Sequence, residues 1–118
     1  MVVTKDVSEF SEVELYFLIE HVGHMRWRIN HDAADGRISN DGVDEELERL
    51  YELQHDAISQ LLKFRIDPFL ADGKSPSQEY WDWWYKWDVY MKNLSPSEHD
   101  NLVIKINNRE DTSNFNVQ

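Results

Sequence analysis

The sequence predicts an all-α fold, a small bundle of three to four helices. Three observations predict it. Apolar residues recur at alternating steps of three and four in three long segments. A Ser-x-x-Glu or Ser-x-x-Gln pattern, the signature of a capped helix start, precedes three segments. Clusters of Gly, Pro, Asp and Asn separate the segments. The chain's 118 residues suit one domain. Folding at that size buries about two-thirds of the unfolded surface, enough for a core without staples. We expect one helical domain over 1–107 and a flexible tail over 108–118, where "NREDTSNFNVQ" has no periodicity.

The first helix is expected to start near Ser8 or Ser11. Ser11 and Glu14 fit a capping box, in which each side chain bonds the other residue's orphan N–H. Leu15, Leu18, Val22, Met25 and Ile29 then form one stripe, ending near Asn30. "HDAADGRISNDG" reads as a loop, and its "SNDG" leaves room for a short hairpin within 32–42. The second helix spans roughly 43–66. Leu47, Leu50, Tyr51, Gln54, Ile58, Leu61, Leu62 and Arg65 trace its face. Asp41 and Asp44 at its start and Lys63 and Arg65 at its end have the signs the helix dipole favours.

Pro68 and Gly73 mark a second loop. The third helix is expected to open with Ser75 as cap, Pro76 as first residue and Gln78 as capping partner, and to reach Asn93. Ser95, Pro96 and Glu98 repeat the device for a short fourth helix to about Ile106. Leu102, Val103 and Ile106 lie on one side of it.

The third helix carries "WDWWYKW". Tyr80, Trp84, Trp87, Met91 and Leu94 form a stripe, with Trp83 and Tyr90 on one flank and Trp81 and Tyr85 on the other. Two readings follow. The helix is a core hub wrapped by the others, or part of it stays exposed for a partner, since Trp and Tyr dominate interface hot spots. Base stacking is a third, disfavoured reading, because single-strand binders set aromatics in a basic groove. Here Asp82 and Asp88 offset Lys86 and Lys92.

Composition removes whole classes of function. No cysteine is present, so there is no disulfide, thiolate metal site or cysteine nucleophile. The start, "MVVTKDVSEF", lacks the pattern of a signal peptide. No run approaches the roughly 18 apolar residues of a membrane span. We expect a cytoplasmic protein without membrane contact. The net charge of −11 opposes direct nucleic-acid binding and favours basic protein partners.

That charge is concentrated. Asp32, Asp35, Asp41, Asp44, Glu45, Glu46, Glu48, Glu52 and Asp56 face only Arg37 and Arg49, a net −7 over residues 32–56. Asp41, Glu45, Glu48, Glu52 and Asp56 follow helical steps, which places a carboxylate every ~5 to 6 Å along one face. Duplex DNA likewise carries one phosphate per roughly 3.4 Å of axis along each strand. The partner-binding residues are expected to be Asp41, Asp44, Glu45, Glu48, Glu52 and Asp56, with Asp32, Asp35 and Glu46 at the rim.

No catalytic or metal signal competes with this charge pattern. There is no Gly-rich phosphate loop, G-x-S-x-G or H-E-x-x-H. Glu52 and His55 make one E-x-x-H, whereas carboxylate-bridged di-iron bundles need two plus two further glutamates. His21, His24, His31 and His99 read as surface or core-edge residues, with His24 and His31 also able to meet the acidic helix. We expect no enzyme, catalytic residue, metal or cofactor.

In size, in acidity and in the charge row from Asp41 to Asp56, the chain resembles the small acidic bacterial and phage proteins that act as DNA mimics. The resemblance implies a monomeric or dimeric inhibitor that blocks the DNA site of a basic DNA-binding protein, such as a histone-like HU protein, a repressor or a nuclease. An immunity protein that neutralises a basic nuclease toxin is the main alternative. A metal-binding helical bundle and an adaptor using exposed aromatics complete the alternatives.

Overall fold

Ser11 caps the first long helix as its position predicts. The computed structural model describes residues 6–108, 110–112 and 115; residues 1–5 and the rest of the expected tail lie outside it. A short 3-10 turn, Val7–Glu9, leads to Ser11 in extended conformation. The Glu14 N–H donates to Ser11 Oγ at 3.4 Å, and the Ser11 N–H donates to Glu14 Oε1 at 3.3 Å. From this box helix α1, Glu12–Ala34, runs one turn past the expected end. Helices α2, Val43–Ser59, α3, Gln78–Lys92, and α4, Pro96–Asn107, complete a small all-α bundle. Among the described residues there is no strand: 32–34 extend α1 and 35–42 form turns and bends rather than a hairpin.

Helix α2 departs from expectation at its end. The α-helix stops at Ser59, and a 3-10 helix, Gln60–Phe64, replaces its last turns. The chain then closes in a Schellman pattern. The Arg65 N–H donates to the Leu62 carbonyl and the Ile66 N–H to the Leu61 carbonyl. Arg65 supplies the left-handed residue, with φ 65°. Glycine usually holds that position, so an arginine there hides the stop. The apolar face also differs. Leu50 and Ala57 are buried, whereas Leu62 and Tyr51 are exposed.

The start of α3 is corrected by two residues: Ser77, not Ser75, is the cap. Ser77 Oγ accepts the Tyr80 N–H at 3.1 Å and donates to the Asp67 carbonyl at 2.6 Å. Ser75 is engaged by Asp72, whose Oδ1 accepts the Lys74 and Ser75 N–H groups at 2.8 Å each and whose Oδ2 accepts the Ser75 hydroxyl. The intervening loop folds back through a single bridge between Phe69 and Pro76. At α4 the expected box of Ser95 and Glu98 is present, with Pro96 leading the helix.

The core gathers Phe10, Val13, Leu15, Tyr16 and Ile19 from the first part of the chain, Ala57 and Leu61 from the second, Tyr80, Trp83 and Trp87 from α3, and Leu102 from α4. Trp87 is 1% exposed and Trp83 5%. Trp84, expected on the central stripe, is only half-buried. Tyr16 packs against Trp83, Trp84 and Trp87 with ring centroids 6.2 to 6.4 Å apart. Burial, with Glu20 and Asp88 nearby, pushes its hydroxyl pKa up.

Helix α1 packs most extensively against α2. A polar clasp fixes that contact. Arg26 Nη1 donates to Gln54 Oε1 at 2.7 Å, and Gln54 Nε2 donates to the Ile19 carbonyl at 3.1 Å. The Arg26 guanidinium lies over the Tyr51 ring at 5.2 Å. Gly23 makes room, because a Cβ there would sit 3.2 Å from Gln54 Nε2.

The expected free tail is anchored where it is described. Thr112 is fully buried, and its hydroxyl donates to Glu14 Oε1 at 2.8 Å and contacts Ser11 Oγ. Phe115 packs against the core beneath Lys105.

Candidate functional site

The acidic residues of α2 take their placement from helix periodicity. Leu50, Gln54 and Ala57 turn one face to α1. Glu45, Glu48, Glu52 and Asp56 fall on the opposite face, and all four are exposed. Asp44 is exposed on the flank, and Asp41 is exposed in the turn before the helix. Gly42 is the N-cap in left-handed conformation and offers no side-chain cap. The first-turn acids Asp44, Glu45 and Glu46 therefore stabilise this end through the helix dipole.

The nine acids separate into two groups. Among the described residues, Asp41, Asp44, Glu45, Glu48, Glu52 and Asp56 form no ion pair. The three expected at the rim are paired. Glu46 accepts both Arg49 Nη2 at 2.6 Å and Arg49 Nε at 3.1 Å. Arg49 holds the Glu46 carboxyl below its usual pKa. Asp35 lies 3.3 Å from His31 and 3.9 Å from Arg37, and Asp32 lies 4.0 Å from Arg37. The row thus has six unneutralised carboxylates.

The row ends at a shallow groove of about 420 Å³ lined by Tyr51, Glu52, His55, Asp56, Asp72 and Lys74. His55 is a structural residue here. Its ring stacks on Phe69 at 4.6 Å, and Nε2–H donates to the Gly73 carbonyl at 3.0 Å. Hydrogen bonds from Ser75 and Lys74 hold the Asp72 carboxyl down to about 2. Among the described residues no cluster of three or more histidine and carboxylate side chains could hold a metal ion.

A second surface was legible only as one of two readings of the aromatic helix. Trp81 is 49% exposed and Tyr85 64%. Trp84 joins them at the surface, with its indole N–H donating to Glu20. On α1, Trp27 is 60% exposed, and both His24 and His31 stack on it, at 6.0 and 5.1 Å. Arg26 hydrogen-bonds Gln54 of α2, while the two histidines stack on Trp27. Trp27 falls outside the apolar stripe of its helix and so gave no signal in the sequence. No described helix is long and apolar enough to cross a membrane. Comparison with protein-family models, with curated proteins and with solved structures gives no match.

Proposed function

We propose that this protein is an acidic DNA mimic that blocks the DNA site of a basic DNA-binding protein through the outward face of α2. The observation that supports the reading is the row of exposed carboxylates without ion pairs, Glu45, Glu48, Glu52 and Asp56, extended by Asp44 and Asp41. From Glu45 to Asp56 the helix rises about 16 Å, the axial length of roughly five base pairs. Like charges at these spacings weaken the helix by a few tenths of a kcal/mol per pair. A row that opposes its own helix, with little compensating lysine, fits a surface shaped for a cationic partner.

The test uses a variant with Glu45→Gln, Glu48→Gln, Glu52→Gln and Asp56→Asn, against a histone-like HU protein, a repressor and a nuclease as probes. Wild type should bind at least one probe with an affinity that falls steeply as salt rises, and duplex DNA should compete. The variant should lose that binding while its melting temperature stays level or rises. A bound probe that duplex DNA fails to displace overturns the mimic reading, and inhibition of the nuclease without such competition replaces it with the immunity-type reading.

A further inference from the structure

Helix α3 presents an aromatic groove that the carboxylates of α2 do not explain. It measures about 510 Å³ and is lined by Gln78, Trp81, Asp82, Trp84, Tyr85 and Lys86. The Trp81 and Trp84 rings stand at 77° with centroids 6.0 Å apart, so they form two walls of a corner. Both rings also line a second groove, where Glu20 and His24 lie. Trp81 and Trp84 are thus walls shared by the two grooves. In the second groove Glu20 is oriented by the Trp84 indole, which occupies Oε1 and leaves Oε2 as an acceptor. Asp82 is held on the other side by Gln78 Nε2 at 2.9 Å.

We propose that this groove receives an arginine side chain of a basic protein partner. Perpendicular ring faces offer negative quadrupole potential to a cation placed between them. A guanidinium is planar and weakly hydrated, so it can stack on one ring and still donate to carboxylates at the edge. Glu20 and Asp82 supply those carboxylates on a protein of net charge −11. Lys86 is the cation within the groove, and a cationic guest must displace its side chain toward solvent. The inference rests on the partner being basic, as the mimic reading holds, but it assigns a separate surface and a separate residue type.

Its test follows the indole N–H resonances of the ¹⁵N-labelled protein during titration with a tetra-arginine peptide. The Trp81 and Trp84 indoles should shift and the Trp87 indole should not. A tetra-citrulline peptide, neutral and of the same shape, should shift neither. Trp81→Ala should weaken tetra-arginine binding roughly fivefold, and Lys86→Gln should strengthen it. Tetra-lysine should move the α2 backbone signals but barely move the indoles. The proposal is overturned if the Trp81 and Trp84 indoles stay fixed while α2 saturates, if citrulline matches arginine, or if Lys86→Gln has no effect. Indole shifts that persist in the α2 quadruple variant, in a protein that binds no DNA-binding probe, would leave the groove standing and the mimic reading refuted.

Discussion

Replacing Trp87 with alanine tests the orientation of α3 and hence which aromatics are free to meet a partner. Trp87 is 1% exposed and lies against Tyr16 at 6.4 Å and edge-on to Tyr90 at 5.3 Å. A tryptophan buries roughly 150 to 250 Å², worth about 4 to 6 kcal/mol at ~25 cal/mol/Å² as an upper figure. Measured large-to-alanine substitutions of this kind lose about 3 to 5 kcal/mol, cavity included. We expect about 4 kcal/mol for Trp87→Ala. With an unfolding entropy of ~2.1 cal/mol/K per residue, that lowers Tm by about 15 °C. Trp81→Ala removes about half as much buried area and leaves no cavity, so we expect about half the loss, roughly 2 kcal/mol. Urea and thermal unfolding followed by far-UV circular dichroism give both numbers. Equal losses for the two variants would mean that α3 does not bury the face described and that the groove is not a surface feature.

Two further outcomes are expected alongside the two binding tests. Thr112→Val keeps the shape and deletes the hydroxyl that donates to the buried Glu14, so urea unfolding should show a loss of roughly 1 to 3 kcal/mol; a change below about 0.3 kcal/mol would mean that Thr112 does not anchor the chain there. Asp72 has its carboxyl lowered from 3.8 to about 2, so the folded state favours its charged form. Its contribution to stability is present above about pH 4 and is lost as pH falls toward 2. An Asp72 carboxyl titration by NMR should therefore show a midpoint near 2, and Asp72→Asn should remove the part of the acid-induced loss that arises from loop 65–77. A midpoint near 4 would refute the hydrogen-bonded turn.

The helix starts were legible wherever one serine had one geometric option. Ser11 and Ser95 each precede a glutamate by three residues, which the rival Ser8 does not, and both cap as expected. "SPSQ" offers two serines, and the choice between them depends on Asp72, three residues before the first. The end of α2 was hidden because Arg65 occupies a backbone region that ordinarily announces itself with glycine. The central stripe of α3 was misplaced for a different reason. Apolar residues surround most of that helix, so periodicity alone cannot find its middle; the structure buries Trp83 and Trp87 fully and leaves Trp84 at the edge, although Tyr16 touches all three. Ala57 was overlooked because small size, not hydrophobicity, suits it to its buried place. For the acidic face, spacing gave the row, but which acids are neutralised depends on Arg37 and Arg49 geometry that spacing does not encode.

The hydroxyl of Thr112 meets Ser11 and Glu14 across about a hundred residues of chain. This separation sets an order of events during synthesis. At roughly 5 to 20 residues per second, α1 waits on the order of 5 to 20 seconds after it leaves the ribosome before its partner exists. During that interval the Glu14 carboxylate has no Thr112 hydroxyl to meet and must keep its water. Its local partners in that interval are the Ser11 N–H and hydroxyl of the capping box. The helix made first thus gains its full set of native contacts only when the chain around 112 has been made.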